Sequence, residues 1–170
     1  MATDLDRRKN RVFISLGSNL GNKRANLEEA AVLLEKKAGE IKASSSFYET
    51  ESWGNEQLPN FYNQVICLQT SKSAAELMQI LLGIEDLMGR ERADGSSYTS
   101  RSMDLDIIYF NKDVISEKTL KIPHPRMHQR NFVLLPLAEI APTFIHPVFG
   151  KSSSELLAQS PDRLSCKRTI

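Results

Sequence analysis

The chain has 170 residues, a formal net charge of +1, 41% hydrophobic and 25% charged residues, the proportions of one globular domain with a substantial core. Near-neutral charge gives no global reason to bind nucleic acid or an anionic membrane, and the polar first eleven residues with no apolar run of spanning length speak against a leader peptide or a membrane helix. Cys67 and Cys166 are far apart and form no C-x-x-C, so neither metal nor redox chemistry is implied and the cytoplasm is the expected compartment.

Residues 1–10 are charged and aperiodic and read as a disordered arm, residues 11–160 as a single domain, and residues 161–170 as a tail without structural signal. Arg11 to Leu16 is a short β-prone run that ends in GSNLGN, a turn into a helix. Leu27, Ala30, Ala31, Leu34 and Ala38 then recur at helical spacing, and Gly39 stops the helix. Ile41 to Thr50 reads as a second strand, ESWGNEQLPN as a loop, and Phe61 to Gln69 as a third strand. Ser73 and Glu76 form a capping-box pattern ahead of a helix with Leu77, Ile80, Leu81, Ile84 and Met88 on one face. A polar loop, residues 93–100, leads to a strand through Phe110. The order is β-α-β-β-α-β, the split βαβ of a ferredoxin-like α+β fold. Beyond it the pattern predicts a hairpin within Asn111 to Ile122, a helix between Gln129 and Ile140, and a short helix after a second capping box, Ser152 to Glu155.

The chemistry concentrates in RSMDLDII, residues 101–108. On a strand Asp104 and Asp106 project to one face, and two carboxylates about 5 Å apart repel by roughly 3 kcal/mol at an effective dielectric of about 20. A divalent cation or a shared proton relieves that cost, and Mg²⁺ takes carboxylate oxygen with waters and phosphates as its other ligands. The bland alternative is an edge strand with solvated acids. Arg90, Arg92, Arg101, Arg126 and Arg130 share a forty-residue window with the pair, and guanidinium forks match phosphate oxygens; helix-end placement explains one such arginine and not five. His124, between Pro123 and Pro125, has Arg126 and Arg130 beside it as a further phosphate donor. GSNLGNK is not a P-loop, since three residues rather than four separate Gly17 and Gly21; Gly17 instead allows a close backbone approach. Phe61 and Asn63 alternate on the third strand, a ring and an amide suited to a flat heterocycle, with Trp53 and Phe132 as candidates for the opposite wall.

These stretches, with SSFYET, IEDLMGRER and IPHPRMHQRNFVLLPLAEIAP in the same order over residues 11–149, closely resemble the 6-hydroxymethyl-7,8-dihydropterin pyrophosphokinase family. The resemblance implies a three-layer α/β/α arrangement and an ATP-dependent transfer of pyrophosphate to the pterin hydroxymethyl group, releasing AMP, in folate biosynthesis. By matching position, Asp104 and Asp106 are the ligands of two Mg²⁺ and either could accept the hydroxyl proton. Arg90 and Arg101 act on the transferring phosphates, Arg92, His124 and Arg130 are further phosphate contacts, and Glu85 and Ile107 are nucleotide-side positions. Phe61 and Phe132 sandwich the pterin, Asn63 reads its edge, and Gly17, Thr50 and Trp53 line its pocket. ATP and the pterin are then the expected partners of a monomer, with no nucleic acid and no membrane. The sequence departs from the family where Tyr98-Thr99-Ser100 stands before Arg101 in place of the common Trp-Gly-Pro, and where TESWG lacks the prolines common after the threonine.

Two other readings share parts of the pattern. RNA-recognition domains have the same element order, but FYNQVICLQ lacks their basic-glycine-aromatic third strand. A silent nucleotide-binding relative fits the fold, and the intact Asp104 weighs against it.

Overall fold

The computed structural model describes residues 9–52, 57–89 and 102–169. Strands β1 (Asn10–Ser18), β2 (Glu40–Ser44), β3 (Tyr48–Thr50), β4 (Phe61–Thr70) and β5 (Asp104–Phe110) alternate with helices α1 (Lys23–Lys37) and α2 (Ala74–Leu87) in the expected order. The hairpin β6 (Ile115–Ser116) and β7 (Lys121–Ile122), helix α3 (Asn131–Ile140), helix α4 (Ser153–Ala158) and strand β8 (Cys166–Arg168) follow.

The sheet runs β5-β1-β4-β3-β8, with β2 also paired to β4, and every pairing is antiparallel. Strand alternation divides it into two cores. Val12, Ile14 and Leu16 of β1 face α1 and α2, where they meet Leu27, Leu34, Leu77, Leu81 and Ile84. Phe13 faces the other way, with Val65 and Cys67 of β4, toward Val133, Leu134 and Leu137 of α3 and Leu156 of α4. Both expected capping boxes form: Ser73 with Glu76 opens α2, and Ser152 with Glu155 opens α4. Gly39 stops α1 for a steric reason, since a Cβ there would stand 2.2 Å from the Gln69 carbonyl oxygen.

Three expectations are corrected. The strand read as Ile41 to Thr50 is two strands, broken where the Ser45 hydroxyl replaces a backbone partner by accepting from the Val65 N–H at 3.0 Å. From Ser44 opposite Ile66 to Tyr48 opposite Asn63, the broken strand spends one residue more than its partner, which is a bulge. Asn10, placed in the arm, starts β1 and pairs with Thr70; residues 1–8 of the arm lie outside the described residues. The stretch after Pro161 carries β8, which pairs with β3 through Thr50 and Cys166, Glu49 and Lys167, Tyr48 and Arg168. Ladder hydrogen bonds belong to the backbone, so a three-residue edge strand leaves no pattern in side-chain type.

Candidate active site

The sheet register assembles the candidate residues. Asp104 lies opposite Gly17 on β1 and Asp106 opposite Ser15. Gly17 lies opposite Asn63 on β4, and Asn63 opposite Tyr48 on β3. Asp104, Gly17, Asn63 and Tyr48 therefore form one row across four strands. Leu105 and Ile107 point into the α1–α2 core, so the alternating Asp104 and Asp106 point to the α3 side. A bulge makes this possible. Phe13 pairs with Tyr109 while Ile14 pairs with Ile107, leaving Ile108 extra, so that Ile108 and Tyr109 both join the α3-side core. Unbroken alternation through Ile108 would instead set Tyr109 and the acid pair on opposite layers.

Along the row, each residue has a local reason for its type. A Cβ on Gly17 would come within 3.0 Å of Asn63 Oδ1 and 3.8 Å of the Phe61 ring, so glycine lets the amide and the aromatic lie over β1. The Asn63 amide donates to Thr50 Oγ1 at 2.6 Å, which orients it; both residues are only 3% exposed. Phe61 lies opposite Thr50 at the end of β4.

The other wall comes from the segment after β7. The His124 N–H donates to the Ile108 carbonyl at 3.0 Å, which fixes this segment beside β5. His124 Nδ1 accepts from the Arg126 N–H at 3.1 Å, leaving Nε2 to carry the proton. Burial, followed by the positive charge of Arg130, lowers its pKa to about 4 although Asp104 pulls the other way. At neutral pH His124 is therefore an uncharged N–H donor with both Asp104 and Arg130 in electrostatic range. Arg130 occupies the residue before α3 and its guanidinium lies 5.5 Å from the centre of the Phe132 ring, so the cation and the second aromatic wall stand together.

Glu85 and Ile107, expected on the nucleotide side, lie in the interior. Ile107 belongs to the α1–α2 core. Glu85 is 2% exposed and accepts the Leu105 N–H at 2.9 Å, so this carboxylate grips β5 between the two aspartates. The sequence carried a signal for it: an acid directly after Ile84 in the buried stripe of α2. Ser102 Oγ also donates to the Met88 carbonyl and ties the start of β5 to the end of α2. Arg90, Arg92, Arg101, Trp53 and Tyr98 lie outside the described residues. A surface hollow lined by Arg24, Ser45, Ser46, Phe47 and Thr169 lies at the β2–β3 junction, and none of the site candidates lines it.

The donor set suits a hard divalent cation. Asp104 and Asp106 are two half-buried carboxylates on one face, and one or two carboxylates, with phosphate and water completing the shell, is the donor set that Mg²⁺ prefers.

The family model described as 7,8-dihydro-6-hydroxymethylpterin-pyrophosphokinase (HPPK) matches residues 13–142. The chain is 38% identical over 158 residues to the 2-amino-4-hydroxy-6-hydroxymethyldihydropteridine pyrophosphokinase of Synechocystis, covering 92% of this chain and 80% of that one. It is 40% identical over 132 residues to the protein of that name from Bacillus subtilis, covering 77% and 78%. Among solved structures, the HPPK-DHPS of Plasmodium falciparum superposes with a TM-score of 0.73 at 20% identity, over 92% of this chain and 45% of that one. The chain thus spans less than half of that longer protein, and the match speaks for the fold.

Proposed function

The chain belongs to the HPPK family, and from its activity as an ATP-dependent pyrophosphokinase of folate biosynthesis, acting on 6-hydroxymethyl-7,8-dihydropterin, we propose how its residues divide the work. In the reaction the pterin hydroxyl oxygen bonds to the β-phosphorus of ATP, the bridge from β-phosphorus to the α-phosphate oxygen breaks, and AMP leaves with the bonding electrons. Such a transfer needs positioning and charge neutralisation more than covalent help from the protein.

The observation that carries the assignment is the row Asp104–Gly17–Asn63, which sets a carboxylate beside an amide and ring pocket on one sheet face. Phe61 and Phe132 take the two faces of the pterin, and Asn63, held by Thr50, pairs with its edge over Gly17. Trp53 completes that pocket. Asp104 and Asp106 would hold two Mg²⁺, which when bound neutralise phosphate charge and orient the attacking oxygen; one of the two acids takes the hydroxyl proton. Arg90, Arg92, Arg101 and Arg130 bind phosphate oxygens as cations, and His124 does so as a neutral donor. Glu85 serves the nucleotide side by holding β5, and Ile107 by packing beneath it. From the resemblance to the family we read the protein as a cytoplasmic monomer working on small molecules, without nucleic acid or membrane; no described helix is long and apolar enough to cross a membrane.

The test is an AMP-release assay with Mg-ATP, with and without 6-hydroxymethyl-7,8-dihydropterin. The expected result is pterin-dependent AMP with no ADP or free phosphate. ADP as product would mean single phosphoryl transfer, and no product from folded protein that binds ATP would leave a nucleotide-binding relative.

A further inference from the structure

The two aromatic walls of the pocket come from different elements, Phe61 from β4 and Phe132 from α3. Their separation depends on how α3 sits on the sheet, where Val133, Leu134 and Leu137 pack it down and polar contacts can fix its position along its axis further. Hydrogen bonds are directional and add such a constraint. At the far end of α3, Glu139 makes a set of them. Its Oε1 accepts from the Ser46 N–H at 3.0 Å and from Ser46 Oγ at 2.8 Å, and its Oε2 accepts from Tyr48 Oη at 2.6 Å. Arg168 of β8 stands 4.0 Å away. Phe132 and Glu139 are seven residues apart, two helical turns, so both lie along one edge of α3.

The same strand reaches both ends of this arrangement. Tyr48 and Thr50 alternate on β3 and face α3; Tyr48 is buried and meets Glu139, while Thr50 orients Asn63. Burial raises the Glu139 pKa, but the hydrogen bonds from Tyr48 and Ser46, with Arg168 adding to them, outweigh that and lower it, so the acceptor is a full carboxylate at neutral pH. Burial and the contact with this carboxylate push the Tyr48 phenol up to about 12, so the donor keeps its proton.

We infer that Glu139, through Tyr48 and Ser46, is a positioning residue for pterin binding: it locks α3 onto β3 and thereby sets the gap between Phe132 and Phe61 and the orientation of Thr50 and Asn63. It acts from outside the pocket and touches neither substrate nor nucleotide. The inference rests on the proposed pterin sandwich.

The experiment is steady-state kinetics on full-length Glu139→Ala, Tyr48→Phe, Glu139→Gln and Phe132→Ala, varying pterin and ATP separately and recording the melting temperature of each. Losing charge-assisted hydrogen bonds of this kind predicts a rise of about 5- to 10-fold in the pterin KM for Glu139→Ala and a smaller rise for Tyr48→Phe, with the ATP KM within about 2-fold of wild type. Glu139→Gln keeps an acceptor for Ser46 and, with the phenol rotated, a partner for Tyr48, so it restores the pterin KM. A merely structural role would lower the melting temperature and the active fraction while both KM values stayed put, which overturns the inference, as would equal rises in both. If Glu139→Ala does not fold, Tyr48→Phe, which removes one oxygen atom, decides in the same way. Phe132→Ala separates the two readings: an unchanged pterin KM there overturns the sandwich and the inference with it, whereas a raised pterin KM there with none in the Tyr48 and Glu139 variants overturns the inference alone.

Discussion

At the scale of single residues, Asp106 and His146 make opposite demands on their surroundings. Asp106 is half-buried on the face that gathers Asp104, Gly17 and Asn63, and in the site proposed above it contributes charge rather than packing. Asp106→Ala is expected to lower kcat by roughly 10³-fold, as the loss of an electrostatic centre does, while the melting temperature stays within about 3 °C of wild type. Assay and thermal melt together check this, and near-normal turnover would remove Asp106 from the metal site. His146 is 3% exposed; its Nδ1 accepts from the Val148 and Phe149 N–H groups, each at 3.1 Å, and its ring stacks on Phe149. Burial, with His128 nearby, lowers its pKa to about 4. The unfolded chain, with a histidine near 6.5, then binds more protons than the folded one between about pH 4 and 6.5, so stability rises with pH through that window. Its contribution is fully present above about pH 6.5 and is lost as pH falls toward 4. Melting curves from pH 7.5 to 4.5 are expected to show a falling midpoint, and His146→Gln a shallower fall.

At the scale of elements, two irregularities decide what the strands present. The extra Ile108 in β5 turns Asp104 and Asp106 toward α3 while Tyr109 stays in the core. The break at Ser45 lets β2 pair with one half of β4 and β3 with the other, which aims Tyr48 and Thr50 at α3 and the pocket. Strand β8 then covers the open edge of β3, and the Thr169 N–H donates to the Phe47 carbonyl at 2.8 Å. Truncation after Arg163 removes this cover. It is expected to cost about 1–3 kcal/mol, or a drop of roughly 3–10 °C in melting temperature, and to speed amide exchange in β3 measured by mass spectrometry. Unchanged protection of β3 would show that β8 adds nothing to the edge.

At the scale of the whole molecule, the fold stands on two apolar cores, one on each face of the sheet. With the fold carried by these cores, stability and metal dependence are expected to separate. Chelation by EDTA is expected to abolish turnover and leave the melting temperature within about 1 °C, because the hydrophobic cores carry the fold. ATP with Mg²⁺ is expected to raise it, by about 2.7 kcal/mol of stabilisation at a free ligand concentration a hundred times Kd, and ATP with EDTA to raise it much less. A large loss of stability in EDTA alone would place a metal in the fold itself.

The element order, the helix on Leu27, Leu34 and Ala38, the capping boxes at Ser73 and Ser152, and the pairing of Asp104 with Asp106 on one face were all legible in the chain. Each follows from local periodicity or from side chains bonding to backbone a few residues away. The family was legible too, because its motifs are short and keep their order. What the order of residues could not carry is contact across the sheet. Glu85 under Leu105, Tyr48 against Glu139 and β8 on β3 join residues 20, 91 and more than 100 positions apart. Nothing in the local pattern singles out Glu139, and β8 reads as a tail. The layer that receives the acid pair was equally hidden, since one inserted residue inverts the alternation beyond it and only the ladder to β1 reveals where that residue sits. Local chemistry chose the elements and the reactive groups; long-range packing and register chose which of them meet.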